Sequence, residues 1–246
     1  MDLTPYRHIV LYIFSGLTLI TVLISLFAPA VGNFEKDLVA KGLSQAQTKM
    51  KLTRTNAENS QATSFGVNKG VVILGDSVAL RSKDQIESSI DNVAIDAVVS
   101  RNLSTINDLL KDYADSNALA KDVVIAGGVN EIDDYKGVIN KMIKNLPKGH
   151  HIIFVTPYNG SKSGSKAVSL VQLRKYELEM AKKYDFVTVA DWYQVAKENI
   201  SIWTGPDGVH FGSDSDSINR GAKLYTNTIK EAIAKANQKP VKGGKK

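Results

Sequence analysis

The sequence predicts a doubly wound α/β sandwich built on a five-stranded parallel sheet and preceded by one membrane-crossing helix. Three observations predict it. Five short runs rich in Val and Ile recur between residues 71 and 190, amphipathic stretches separate them, and one uncharged run of 23 residues, Ile9 to Val31, stands apart near the N-terminus. Parallel strands are covered on both faces, so they read as continuous apolar runs, and helices between them complete the alternation of an α/β fold.

Taken in order, Ile9 to Val31 as a helix spans about 34 Å, enough for a hydrocarbon core of about 30 Å. Arg7 and His8 precede it, and Ala28-Pro29-Ala30 resembles a signal-peptidase site. A retained anchor and a cleaved signal therefore compete, and the length of the run favours the anchor. Lys36 and Lys41 follow the span, but a large domain can be translocated regardless of such charges, so outward display of the remainder is the expectation. Residues 32–69 are rich in Gln, Asn, Ser, Thr and Lys without an apolar face, which predicts a polar spacer.

The compact domain is expected over residues 70–236. Its strands are Val71 to Leu74, Val93 to Val99, Val123 to Ala126, Ile152 to Val155 and Val187 to Ala190. Leu103, Ile106, Leu110 and Tyr113 share one helical face, as do Leu170, Leu173, Met180 and Tyr184, and again Ile218, Ala222, Tyr225, Ile229 and Ile233. Residues 237–246 read as a solvated basic tail.

Composition narrows the chemistry. The chain has no cysteine, which excludes disulfides, thiolate metal sites, a thiol nucleophile and lipid attachment through cysteine. Outside the first 31 residues there are 30 basic and 24 acidic side chains. Lys239, Lys242, Lys245 and Lys246 supply four of the basic ones, so without them the remainder carries only +2. No arginine-rich helix or aromatic-basic interleaving suggests nucleic-acid binding.

In a doubly wound sheet the binding crevice lies beyond the carboxyl ends of the strands, and three motifs fall there. Gly75-Asp76-Ser77 ends the first strand and opens a helix, which can place Ser77 beside free backbone N–H groups; alone, Asp or Ser here is also an ordinary helix cap. Gly128-Val129-Asn130 follows the third strand, and Asn130 can aim an amide N–H at an oxyanion, although Gly-x-Asn alone is an ordinary turn. Asp207-Gly208-Val209-His210 precedes the last helix, where a turn at Gly208 would let Asp207 hold the imidazole that accepts the serine proton. Of the four histidines, His8 lies at the membrane boundary and His150 with His151 marks a solvated strand entrance, which leaves His210 as the base. Asp214-Ser215-Asp216-Ser217 is not an EF-hand, since Ile218, Asn219 and Tyr225 occupy positions that need an oxygen ligand, glycine and glutamate.

In this order the three blocks resemble those of the SGNH/GDSL hydrolase superfamily, and residues 70–236 are most similar to the extracytoplasmic domain of bacterial peptidoglycan O-acetyltransferases. The resemblance implies a three-layer, SGNH/flavodoxin-like sandwich with Ser77 as nucleophile, His210 as base and Asp207 as its partner. It also implies an oxyanion hole formed by Ser77, Ser100 and Asn130. Ser100 departs from the family pattern, which carries glycine there, but its backbone N–H remains available. Arg101 and Trp192 are candidate substrate contacts, Arg101 with surface ion pairing as an equal alternative and Trp192 with packing as the stronger one. No metal or diffusible cofactor is implied. The implied partners are an acetylated donor and a peptidoglycan glycan acceptor. The family's multi-pass acyltransferase module is missing from this sequence, so a separate multi-pass protein delivers the acyl group or the donor is already outside. An esterase using water as acceptor and a silent wall-binding module are the competing readings.

Overall fold

The computed structural model describes residues 62–130, 133–160 and 165–244. The expected span at residues 9–31 and the spacer up to residue 61 lie outside them, as do Lys245 and Lys246. Among the described residues no helix is long and apolar enough to cross a membrane.

Five strands form one sheet in the order β2-β1-β3-β4-β5, and every pairing is parallel. They are β1 (Val71–Gly75), β2 (Val93–Ala97), β3 (Asp122–Ala126), β4 (His151–Val155) and β5 (Val187–Ala190). The helices are α1 (Ser77–Arg81), α2 (Lys83–Ser89), α3 (Leu103–Asp115), α4 (Tyr135–Asn145), α5 (Ser165–Lys183), α6 (Trp192–Glu198) and α7 (Ser215–Ala236). All five expected strands are present; β2 stops at Ala97, which leaves residues 98–102 free to form a loop at the crevice.

Successive strand residues point to opposite faces, and the two cores sort accordingly. Val72, Leu74, Ile125 and Phe154 pack beneath α3, α4 and α5, whereas Val71, Ile73, Val124 and Ile153 meet α2, α6 and α7. The predicted stripe of α3 is buried as expected. The stripe of α7 is rotated: Ser217, Gly221 and Thr226 face inward while Ile218 and Ile233 are half-buried. Gly221 explains this, because a Cβ there would lie 2.2 Å from the ring of Phe211, which fills the space instead.

The edge where the strands begin overturns two expectations. His150 and His151 are buried, at 5% and 2% exposure, because each ring finds an acceptor inside the fold. His150 Nδ1 lies 2.6 Å from the Ala120 carbonyl, and His151 Nδ1 lies 2.7 Å from Asp122 Oδ1. Residues 237–244, after α7, are also not a solvated tail. Val241 is buried, Gly149 N–H donates to the Lys242 carbonyl, and Lys239 Nζ donates to the Val187 carbonyl at 2.9 Å. Lys242 Nζ donates to the carbonyls of Ile143, Lys144 and Leu146 at 2.8, 2.8 and 2.5 Å. A helix leaves its last carbonyls unpaired and carries negative partial charge there, so the end of α4 recruits this ammonium from water.

Candidate active site

At the opposite edge, β1 turns into α1 within two residues. Gly75 permits the turn, since a Cβ there would sit 2.5 Å from Cβ of Ala79. Asp76 caps α1 by accepting the Val78 N–H at 2.9 Å. Its burial pushes its pKa up to about 6, against the opposing effect of the Val78 and Ala79 N–H groups. Ser77 is thereby the first residue of α1, directly beyond the sheet.

Asp207 and His210 reach Ser77 through the turn expected at Gly208, which has φ of 64°. Asp207 Oδ1 accepts the N–H groups of Val209 and His210, each at 2.9 Å, and Oδ2 lies 2.6 Å from His210 Nδ1. Partial burial pushes the Asp207 pKa up, but the His210 ring and these two N–H groups outweigh it and hold the carboxyl below its ordinary value. An ionised Asp207 obliges His210 Nδ1 to donate, which leaves Nε2 as the acceptor. Nε2 lies 2.7 Å from Ser77 Oγ.

The third motif joins the second block. Asn130 follows Gly128, whose φ of 117° suits glycine, and Asn130 Nδ2 donates to the Arg101 carbonyl at 3.3 Å. Ser100, one residue earlier, has φ of 60°. This is the left-handed region that glycine occupies freely and that costs other residues about 1–3 kcal/mol. The backbone thus keeps a glycine-like form where the side chain has changed.

The structure corrects two candidates. Arg101 is buried, and its guanidinium donates to the carbonyls of Gly75 and Asp96 at 3.2 and 2.8 Å and to Asp96 Oδ1 at 2.8 Å. Tyr113 OH adds a bond to Asp96 Oδ2 at 3.1 Å. Arg101 therefore ties the ends of β1 and β2 together and positions the Ser100 loop; it has no face for a ligand. Trp192 is 2% exposed and packs edge-on against Tyr225 and Phe211, so it belongs to the core.

One contributor carried no sequence signal. Arg81, at the far end of α1, donates from Nε to the Phe211 carbonyl at 2.8 Å and from Nη2 to the Gly212 carbonyl at 2.6 Å. The helix that bears Ser77 is thereby pinned to the turn that bears His210. Gly160 N–H adds a second strap, donating to the Gly208 carbonyl at 2.8 Å. Asp214 meanwhile caps α7 in a reciprocal bond with Ser217. Among the described residues no group of acidic and histidine side chains is arranged to hold a metal ion.

No family model matches the chain. Among solved structures it is similar to the C-terminal catalytic domain of Streptococcus pneumoniae peptidoglycan O-acetyltransferase A, with 44% identity and a TM-score of 0.70 over 72% of this chain and 98% of that one. Among curated proteins it is similar to YrhL of Bacillus subtilis (strain 168), classed by name with the peptidoglycan O-acetyltransferases, at 30% identity over 67% of this chain. The chain spans only 24% of that relative's length. A G-D-S-L family lipolytic protein of Veillonella parvula shares the fold, at 16% identity and a TM-score of 0.55. The chain belongs to the family of the peptidoglycan O-acetyltransferase catalytic domains.

Proposed function

We propose that this chain transfers acetyl groups to a hydroxyl of peptidoglycan glycan through an acyl-serine intermediate. The observation that carries the reading is the unbroken path from Ser77 Oγ to His210 Nε2 and from His210 Nδ1 to Asp207, at 2.7 and 2.6 Å. His210 takes the serine proton as Oγ attacks the acetyl carbonyl, and Asp207 stabilises the imidazolium that forms. Backbone N–H groups of Ser77 and Ser100 with the Asn130 amide hold the oxyanion. The intermediate collapses as the donor alkoxide departs with the proton from His210, leaving acetyl-Ser77. A glycan hydroxyl then gives its proton to His210 and attacks the acyl carbonyl; the bond from that carbon to Ser77 Oγ breaks as His210 returns the proton to Oγ, and the acetylated glycan leaves.

On this reading residues 9–31 anchor the chain with the catalytic domain outside, and a separate multi-pass protein or a donor already outside supplies the acetyl group. The test uses the full chain in detergent with 4-nitrophenyl acetate, with and without chitooligosaccharide. Acetylated sugar that disappears in Ser77→Ala and His210→Ala is the expected result. Acetate release indifferent to the sugar would replace transfer with hydrolysis, and equal background from all three proteins would remove the enzyme reading.

A further inference from the structure

Trp192 lies buried at the floor of the crevice, and three aromatic rings close to it are more accessible. Tyr158, Tyr193 and Trp203 are each half-buried, and they form one cluster. Tyr158 lies 5.0 Å from Trp203 and 5.4 Å from Tyr193 between ring centroids. The cluster is braced on both sides. Trp203 Nε1 donates to the Ala196 carbonyl at 2.9 Å, and the Arg174 guanidinium lies 5.2 Å from the Tyr193 centroid while bonded to both Asp191 oxygens at 2.8 and 2.7 Å. Rings fixed in this way lose little freedom when a ligand arrives.

Tyr158 connects the cluster to the reaction. Tyr158 lines the same hollow as Asp76 and Val78, the neighbours of Ser77, and as Gly127 and Val129, which lead to Asn130. Its loop is strapped to the His210 turn through Gly160 and Gly208. Half-buried rings beside a hollow of this kind match a ligand that has a flat C–H face and polar edges. A pyranose ring has that form.

We propose that Tyr158 and Trp203, braced by Tyr193, are a stacking platform that holds a pyranose ring of the acceptor glycan beside Ser77. The identity of the acceptor rests on the acyltransferase reading; the platform itself is tested by binding.

The experiment titrates chitooligosaccharide into the full chain carrying Ser77→Ala by calorimetry, alone and combined with Trp203→Leu, Tyr158→Leu or Trp203→Phe. Each variant must keep the wild-type circular dichroism spectrum. The expected result is a Kd raised about tenfold by either leucine and nearly restored by phenylalanine, since stacking needs a ring rather than mere bulk. In the active chain the same leucine variants raise the acceptor KM more than they lower kcat. No sugar binding, leucine variants that bind as tightly as the parent, or a phenylalanine variant as weak as leucine would overturn the platform. Sugar that binds on the rings while acetyl passes only to water would sink the acyltransferase reading and keep the platform. Acetylated sugar made with an unchanged KM in the leucine variants would do the reverse.

Discussion

Two histidine–aspartate pairs stand at opposite edges of one sheet, and their bonds are nearly alike. His210 Nδ1 lies 2.6 Å from Asp207, and His151 Nδ1 lies 2.7 Å from Asp122. What differs is the other nitrogen. His210 Nε2 faces the Ser77 hydroxyl, which has a proton to give, whereas His151 Nε2 lies 3.1 Å from the Lys239 carbonyl, which has none. Exposure differs too: the side chains of the first pair are 33% and 49% exposed and those of the second 2% and 4%. A carboxylate beside an imidazole is therefore not enough to make a base. The ring also needs a lone pair aimed at a donor and a place for substrate, and only the edge where the strands end provides both.

Losing one partner from each pair should have opposite consequences. His210→Ala should lower acyl release about 1000-fold or more while the fold survives, as removing the base from a unit of this kind does. Asp122→Ala should leave turnover per folded molecule close to wild type yet destabilise the chain by about 3–5 kcal/mol in urea, because the buried pair loses one partner. A folded Asp122→Ala protein without turnover would erase the distinction drawn between the edges.

Asp76 sharpens the contrast from the other side, as a buried carboxyl at the reactive edge. Its folded pKa of about 6 exceeds the ordinary 3.8, so the folded state holds the proton more tightly. Stability should then fall as pH rises from about 4 to about 6 and level off above, by on the order of 3 kcal/mol. Urea melts across this window should show that slope, and Asp76→Asn should remove it. Arg81→Ala should slow acyl release about 10- to 100-fold with little change in the urea midpoint, because it loosens the registry of Ser77 and His210. The smallest effect belongs to Lys242→Met, which strips the ammonium from the end of α4 and should cost about 1 kcal/mol in the same melts without touching turnover.

Much of this was legible in the residues alone. The Val- and Ile-rich runs report strands covered on both faces, and Gly75-Asp76-Ser77, Gly128-Val129-Asn130 and Asp207-Gly208-Val209-His210 each fall just after a strand or just before a helix. Local pattern determined those features because strand propensity, helix capping and turn formation act within a few residues. Local pattern is silent on Arg81, which meets Phe211 across 130 residues of chain. It is equally silent on Arg101, whose charge suggests a surface until Asp96 and the β1 carbonyl enclose it, and on Lys242, drawn in by carbonyls at the end of a distant helix. Trp192 and Trp203 look alike in sequence, yet one is buried in the core beneath α7 and the other is half-buried against Tyr158. The sequence by itself determined the alternation of the fold and the three blocks of the site. Only the tertiary structure decided which tryptophan is buried, which arginine is enclosed and which histidine–aspartate pair meets a serine hydroxyl, because burial and hydrogen-bond partners are set by segments that meet only after the sheet has formed.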